Sequence, residues 1–113
     1  LISGVVRRAS LERLRRGVVV RAGPLSVRYA PGEGPAAEVA YAIRRRAGSA
    51  VARNRCRRRL RAWVHQADRA GSLPPGVYLI GVRDEAVGAT YRELESWMRQ
   101  AIEALARKNE TAP

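Results

Sequence analysis

Ser49-Ala50-Val51-Ala52-Arg53-Asn54-Arg55-Cys56-Arg57-Arg58-Arg59-Leu60-Arg61-Ala62-Trp63-Val64 reads SAVARNRCRRRLRAWV, and the part from Arg53 to Arg61 holds six arginines in nine positions without one acidic residue. The apolar residues Ala52, Cys56, Leu60, Trp63, Val64 and, beyond the quoted stretch, Ala67 recur at helical spacing behind Ser49, an N-cap residue. This spacing predicts a helix to about Arg69. Its apolar stripe faces inward, which leaves Asn54, Arg58 and Arg61 opposite, Arg53 and Arg57 on one flank, and Arg55 and Arg59 on the other.

Outward from this helix the pattern changes period. Val18 to Ala22, Leu25 to Ala30 and Val39 to Arg44 are rich in β-branched or aromatic residues and predict strands. Gly23-Pro24 separates the first two, and Pro31-Gly32-Glu33-Gly34-Pro35 leads to the third. After the arginine helix, Gly71 to Gly76 with Pro74-Pro75 forms a break, and the apolar run Val77 to Arg83 reads as a central, buried strand. A short basic helix is expected near the start, with Ser10 as its N-cap, Leu11 and Leu14 on one face and Gly17 as its stop. A last helix is expected from about Thr90 to Lys108, opened by a Thr90/Glu93 capping box, with Leu94, Trp97, Met98, Ile102 and Leu105 inward and Asn109 to Pro113 frayed. There is no internal repeat. The fold class that follows is α+β: one α/β sandwich over residues 1–113, with about four strands packed against helices and a β-α-β unit around the arginine helix.

A chain of 113 residues allows one core. Its net charge of +12, carried by arginines and the single lysine Lys108, points to a polyanionic partner. No apolar run reaches the roughly 20 residues of a spanning helix and no signal-like segment opens the sequence, so the expectation is a cytoplasmic protein with no membrane partner. With Cys56 the only cysteine and His65 the only histidine, a disulfide framework or Cys/His zinc site within the chain is excluded. Cys56 is expected buried, His65 on the surface, and Trp63 and Trp97 as anchors between helices and sheet.

Like-charged arginines three or four apart, such as Arg53/Arg57, Arg55/Arg59, Arg57/Arg61, Arg55/Arg58 and Arg58/Arg61, cost the helix about 1 to 2.5 kcal/mol together. Phosphates would neutralise them and release counterions, whereas a soluble surface needs no such clustering. The acidic pairs Asp84-Glu85 and Glu93/Glu95 are explained by capping and solvation, and no nucleophile-base pair or metal cluster is evident. The composition therefore points to RNA or DNA binding without catalytic groups on the protein.

From Arg45 to Arg61 the sequence RRAGSAVARNRCRRRLR closely resembles the signature of the bacterial ribonuclease P protein family: two basic residues, glycine, Ala-Val, then Arg-Asn-Arg and further basic residues at fixed spacing. The likeness continues, more weakly, through the basic first helix, the Gly-Pro-Leu strand entry, Leu73-Pro74-Pro75-Gly76 and the final helix. It implies a left-handed β-α-β crossover, an exception to the usual hand. It also implies a role in ribonuclease P, whose RNA subunit uses magnesium to cut the 5′ leader from precursor tRNA while the protein, binding no cofactor of its own, assists. Partners implied are the catalytic RNA and precursor tRNA, with no obligate protein partner. By match of motif, the RNA-binding residues are Arg45, Arg46, Arg53, Asn54, Arg55, Arg57, Arg58 and Arg61. A leader cleft between the sheet and the first helix would include Tyr29 and Leu11, the latter in place of the family's usual phenylalanine; Tyr41 and Tyr78 are expected in the core or on the sheet. Glu38 stands where a basic residue is common.

Two other classes fit the charge. A basic leucine-zipper reading fails because Asp68, Gly71 and Pro74-Pro75 end the helix where heptads would have to continue. A ribosomal-RNA-binding structural protein of similar fold is the alternative.

Overall fold

The computed structural model describes residues 2–3, 8–32 and 34–111. Its centre is the arginine helix, α2 (Ala50–Arg69), and both ends of α2 are set by local chemistry. Ser49 Oγ accepts a hydrogen bond from the Ala52 amide at 3.1 Å. At the other end the amide of Gly71 (φ 73°) donates to the Asp68 carbonyl and that of Ser72 to the Ala67 carbonyl. This double closure satisfies carbonyls that the last turn would otherwise expose and directs the chain back toward the sheet.

The strands β1 (Ile2–Ser3), β2 (Val18–Ala22), β3 (Leu25–Ala30), β4 (Ala37–Ile43) and β5 (Gly76–Val82) form one mixed sheet in the order β1-β4-β5-β3-β2. β4 and β5 are parallel neighbours joined through α2, and β3 pairs antiparallel with both β5 and β2. The β-α-β unit and the central place of β5 agree with the sequence pattern. The sheet has four main strands, as expected, plus β1, whose two residues pair with Ala37 and Glu38 and are too few to show a period.

The third helix, α3 (Tyr91–Thr111), opens with the expected capping box: the Thr90 amide donates to Glu93 Oε1 at 3.0 Å and the Glu93 amide to Thr90 Oγ1 at 3.2 Å. It continues past Lys108 through Asn109, Glu110 and Thr111, where a frayed tail was expected; Ala112 and Pro113 lie outside the described residues. The first helix, α1 (Arg8–Leu14), differs more. Ser10 is not its N-cap but a buried residue inside it, whose hydroxyl donates to the Glu38 carboxylate on β4. A serine near a helix start signals a cap only when the chain before it is non-helical, and here the helix already includes Arg8 and Ala9.

The two faces of the sheet are unequal. On one, Val20, Val27, Val39, Tyr78 and Ile80 pack against Cys56, Leu60, Trp63 and Val64 of α2 and Leu94, Met98 and Leu105 of α3. Gly23 (φ 55°) turns the β2–β3 hairpin and lets the Trp97 indole lie against it; a Cβ there would come within 2.5 Å of Nε1. On the other face α1 covers only one end, where Leu14 meets Ala30 and Val77. Leu79, Gly81, Arg28, Ser26 and Ala40 are left partly open.

Leu60 is fully buried at the middle of α2. Leu60→Ala is expected to cost about 2–5 kcal/mol in urea unfolding, whereas Val51→Ala, at a position 73% exposed, is expected to stay within about 0.5 kcal/mol. Equal effects would contradict this orientation of α2.

Candidate nucleic-acid interface

With the inner stripe buried, the arginines of α2 are sorted by what they touch. Arg59 turns toward α3, and its Nη1 donates to the Ala89 carbonyl at 2.6 Å. Arg61 lies with its guanidinium carbon 5.7 Å from the centroid of the Tyr41 ring. Arg57 Nη1 donates to Asn54 Oδ1 at 3.1 Å. Asn54, the one amide in a charged run, thus braces a neighbouring arginine and keeps its own N–H donors for another partner. Arg53 is half-buried near the inner stripe, not on a flank, and its Nε is enclosed without a hydrogen-bond partner. Arg55 and Arg58 are exposed and make no hydrogen bond or ion pair among the described residues.

The basic surface continues around the amino end of α2. Arg45 and Arg46 are exposed in a 3₁₀ turn (Arg45–Ala47), and Arg44 forms an exposed ion pair with Asp84 at 2.8 Å. Val51, in the first turn of α2, is 73% exposed. Sequence reasoning left it off the inner stripe and gave it no role. The structure therefore brings Arg45, Arg46, Arg53, Asn54, Arg55, Arg57, Arg58 and Arg61 to one helix and the turn before it. Of these, Arg45, Arg46, Arg55, Arg58 and Arg61 are exposed, on a scaffold fixed from within.

A second feature lies on the open sheet face. Leu11, Leu14, Arg15, Arg28 and Leu79 line a depression of about 330 Å³, and Arg28 Nη1 donates to the Leu14 carbonyl at 3.2 Å. Farther along the same strands, Arg21, Ser26, Ala42, Gly81 and Arg83 border another of about 250 Å³. Glu38 also faces this side, tied to Ser10. Its acidic side chain is accounted for by the docking of α1 on β4.

Tyr29 is not part of this cleft, contrary to expectation. Residues alternate faces along a strand; Arg28 and Ala30 point toward α1, so Tyr29 points to the opposite face from Leu11. There its ring lies 5.0 Å from that of Tyr78, and its hydroxyl donates to the Pro75 carbonyl at 2.7 Å. Tyr78 donates to the Pro74 carbonyl, and burial pushes the hydroxyls of both tyrosines up from their ordinary pKa, Tyr78 more strongly. The pair fastens the Leu73-to-Gly76 segment to the sheet. A strand-end position in the sequence could not decide the face, since a shift of one residue reverses it.

Cys56 is buried, as expected, with burial as the main cause raising its thiol pKa, and His65 is exposed, as expected. Trp63 and Trp97 pack against the core. Among the described residues no three His, Cys, Asp or Glu side chains gather where a metal ion would be held, and no helix is long and apolar enough to cross a membrane.

The model of the protein family described as Ribonuclease P matches residues 7–106. The chain belongs to the ribonuclease P protein family. Its fold is similar to that of the RNase P protein from Thermotoga maritima, at 15% identity and TM-score 0.76 over 90% of this chain and 96% of that one. It is likewise similar to the RNase P protein from Staphylococcus aureus, at 17% identity and TM-score 0.74 over 88% of this chain and 92% of that one. Membership makes the chain a protein subunit of ribonuclease P, an endoribonuclease whose catalyst is not this subunit, and associates it with ribonuclease P RNA; the ribosomal alternative is not favoured.

The sorting of arginines separates fold from interface. Arg59→Ala, which leaves the Ala89 carbonyl without its charged donor, is expected to destabilise by about 1–3 kcal/mol in urea unfolding. Arg58→Ala is expected to be neutral or stabilising by a few tenths of a kcal/mol, since it removes like-charge repulsion. The reverse ranking would refute the assignment.

Proposed function

We propose that the outer face of α2 and the adjoining turn bind the catalytic RNA, while the open strip of sheet beside α1 receives the single-stranded 5′ leader of precursor tRNA. The observation that carries this is the pair Arg55 and Arg58: exposed guanidinium groups without protein partners on a helix whose other face is locked in the core. Such groups bind phosphate in bidentate fashion and release counterions, which offsets their mutual repulsion. Asn54 adds directed donors, Arg45 and Arg46 extend the contact, and exposed Val51 packs on a sugar or base.

In the leader groove the apolar floor comes from Leu11, Leu14 and Leu79, with Arg15 and Arg28 beside it. Single strands are held by a basic groove and flat surfaces for bases. With leucine at position 11 and no aromatic lining the depression, the flat contacts fall to apolar packing and to guanidinium planes, so leader binding is weaker than on an aromatic platform. Magnesium is used by the RNA, and the protein holds no cofactor. The protein's part in hydrolysis is to bring two polyanions together, and its place is the cytoplasm.

The test is cleavage of a precursor tRNA by a bacterial ribonuclease P RNA at low magnesium, with and without the protein. Strong stimulation is expected, largely lost in Arg58→Glu at unchanged fold. No stimulation of a cognate RNA by folded protein would refute the reading.

A further inference from the structure

Besides Arg59 on the Ala89 carbonyl, one further arginine of α2, the RNA's proposed docking face, has a partner outside the helix. Arg61 lies over the ring of Tyr41, which belongs to β4 and shares the face of Val39 and Ile43 that α2 covers. Among the described residues β4 has an outer neighbour only at Ala37 and Glu38, where β1 pairs. Tyr41 therefore stands at the sheet margin, its ring half-buried and reachable by a long side chain from α2. Burial pushes its hydroxyl pKa up, while the charge and hydrogen bonding of Arg61 pull it back, as a guanidinium close to the phenol must.

An arginine on a helix surface ordinarily samples many rotamers, and ordering it on binding costs conformational entropy. Arg61 shares its row with Asn54 and Arg57, which brace each other. All three carry donors toward one stretch of surface, and each is held by a local partner that takes no more than part of its hydrogen-bonding capacity.

We propose that Tyr41 is a positioning residue for RNA binding: the face of its ring holds the Arg61 guanidinium at the α2–β4 margin with N–H groups free to meet a backbone phosphate of the partner RNA. Tyr41 makes no RNA contact itself. It acts through Arg61 chiefly by cation–π attraction at the ring face, with the hydrogen bonding between guanidinium and hydroxyl as the smaller tie.

The experiment measures affinity for a bacterial ribonuclease P RNA across a salt series with the intact chain, Tyr41→Leu, Tyr41→Phe, Arg61→Ala and the double variant Tyr41→Leu/Arg61→Ala, each checked for folding by circular dichroism. Tyr41→Leu is expected to weaken binding about two- to fivefold, the range of an exposed cation–π contact, with the salt slope unchanged because no charge is lost. Tyr41→Phe is expected to restore affinity to within about twofold of the intact chain, and Arg61→Ala to weaken binding and lower the slope by about one. In the Arg61→Ala background Tyr41→Leu is expected to have no further effect. An equal loss from Tyr41→Leu in both backgrounds, a loss from Tyr41→Phe as large as that from Tyr41→Leu, or no loss at all while Arg61→Ala still weakens binding would overturn the positioning role alone. Failure of the intact, folded chain to bind would overturn the docking-face reading and this proposal with it.

Discussion

The contact of Cys56, Leu60, Trp63 and Val64 with the sheet is the constraint on which the rest depends. Each large apolar side chain buried there contributes about 1.5–3 kcal/mol, so the stripe outweighs the repulsion of about 1 to 2.5 kcal/mol among the arginines above it. The helix can neither unwind nor rotate to separate its charges. A serine cap at one end and the glycine closure at the other remove fraying as a further escape.

Held in this way, the arginines divide by the partners within their reach. Arg59 anchors the loop before α3, and Arg61, although exposed, lies on Tyr41. Arg55 and Arg58 have no partner among the described residues, and on this rigid support they are the proposed phosphate contacts. The opposite face of the sheet carries the complementary feature. Because α1 is short and fastened by Ser10 and Leu14 at one end, the strands beyond it stay open and keep a shallow basic groove.

Much of this was legible in the sequence because the decisive patterns are local. The 3.6-residue stripe from Cys56 to Ala67, the Thr90/Glu93 box and the apolar run of β5 each carry their own period or cap, and the structure follows them within a few residues. The Arg-Asn-Arg signature likewise placed the proposed interface on one helix. The errors arose where the answer depends on partners far along the chain. Ser10 is buried because Glu38 lies across from it, 28 residues away, and Tyr29 faces the tyrosine of β5 because of strand register. Tyr41 was placed in the core or on the sheet, which its packing bears out, but its contact with Arg61 is visible only once helix and sheet are packed.

The central claim, that the outer face of α2 meets the catalytic RNA, is tested most directly by tethered hydroxyl-radical cleavage. A single reactive thiol is placed at position 54 or at position 103 of α3, in a chain whose Cys56 is replaced by alanine, and an iron chelate is attached to it. The account predicts cuts clustered in the ribonuclease P RNA from position 54 and none from position 103, where exposed Glu103 lines a groove with the carboxyl-terminal turns of α2, at the opposite end of that helix from position 54. Cuts from position 103 with none from position 54 would contradict it.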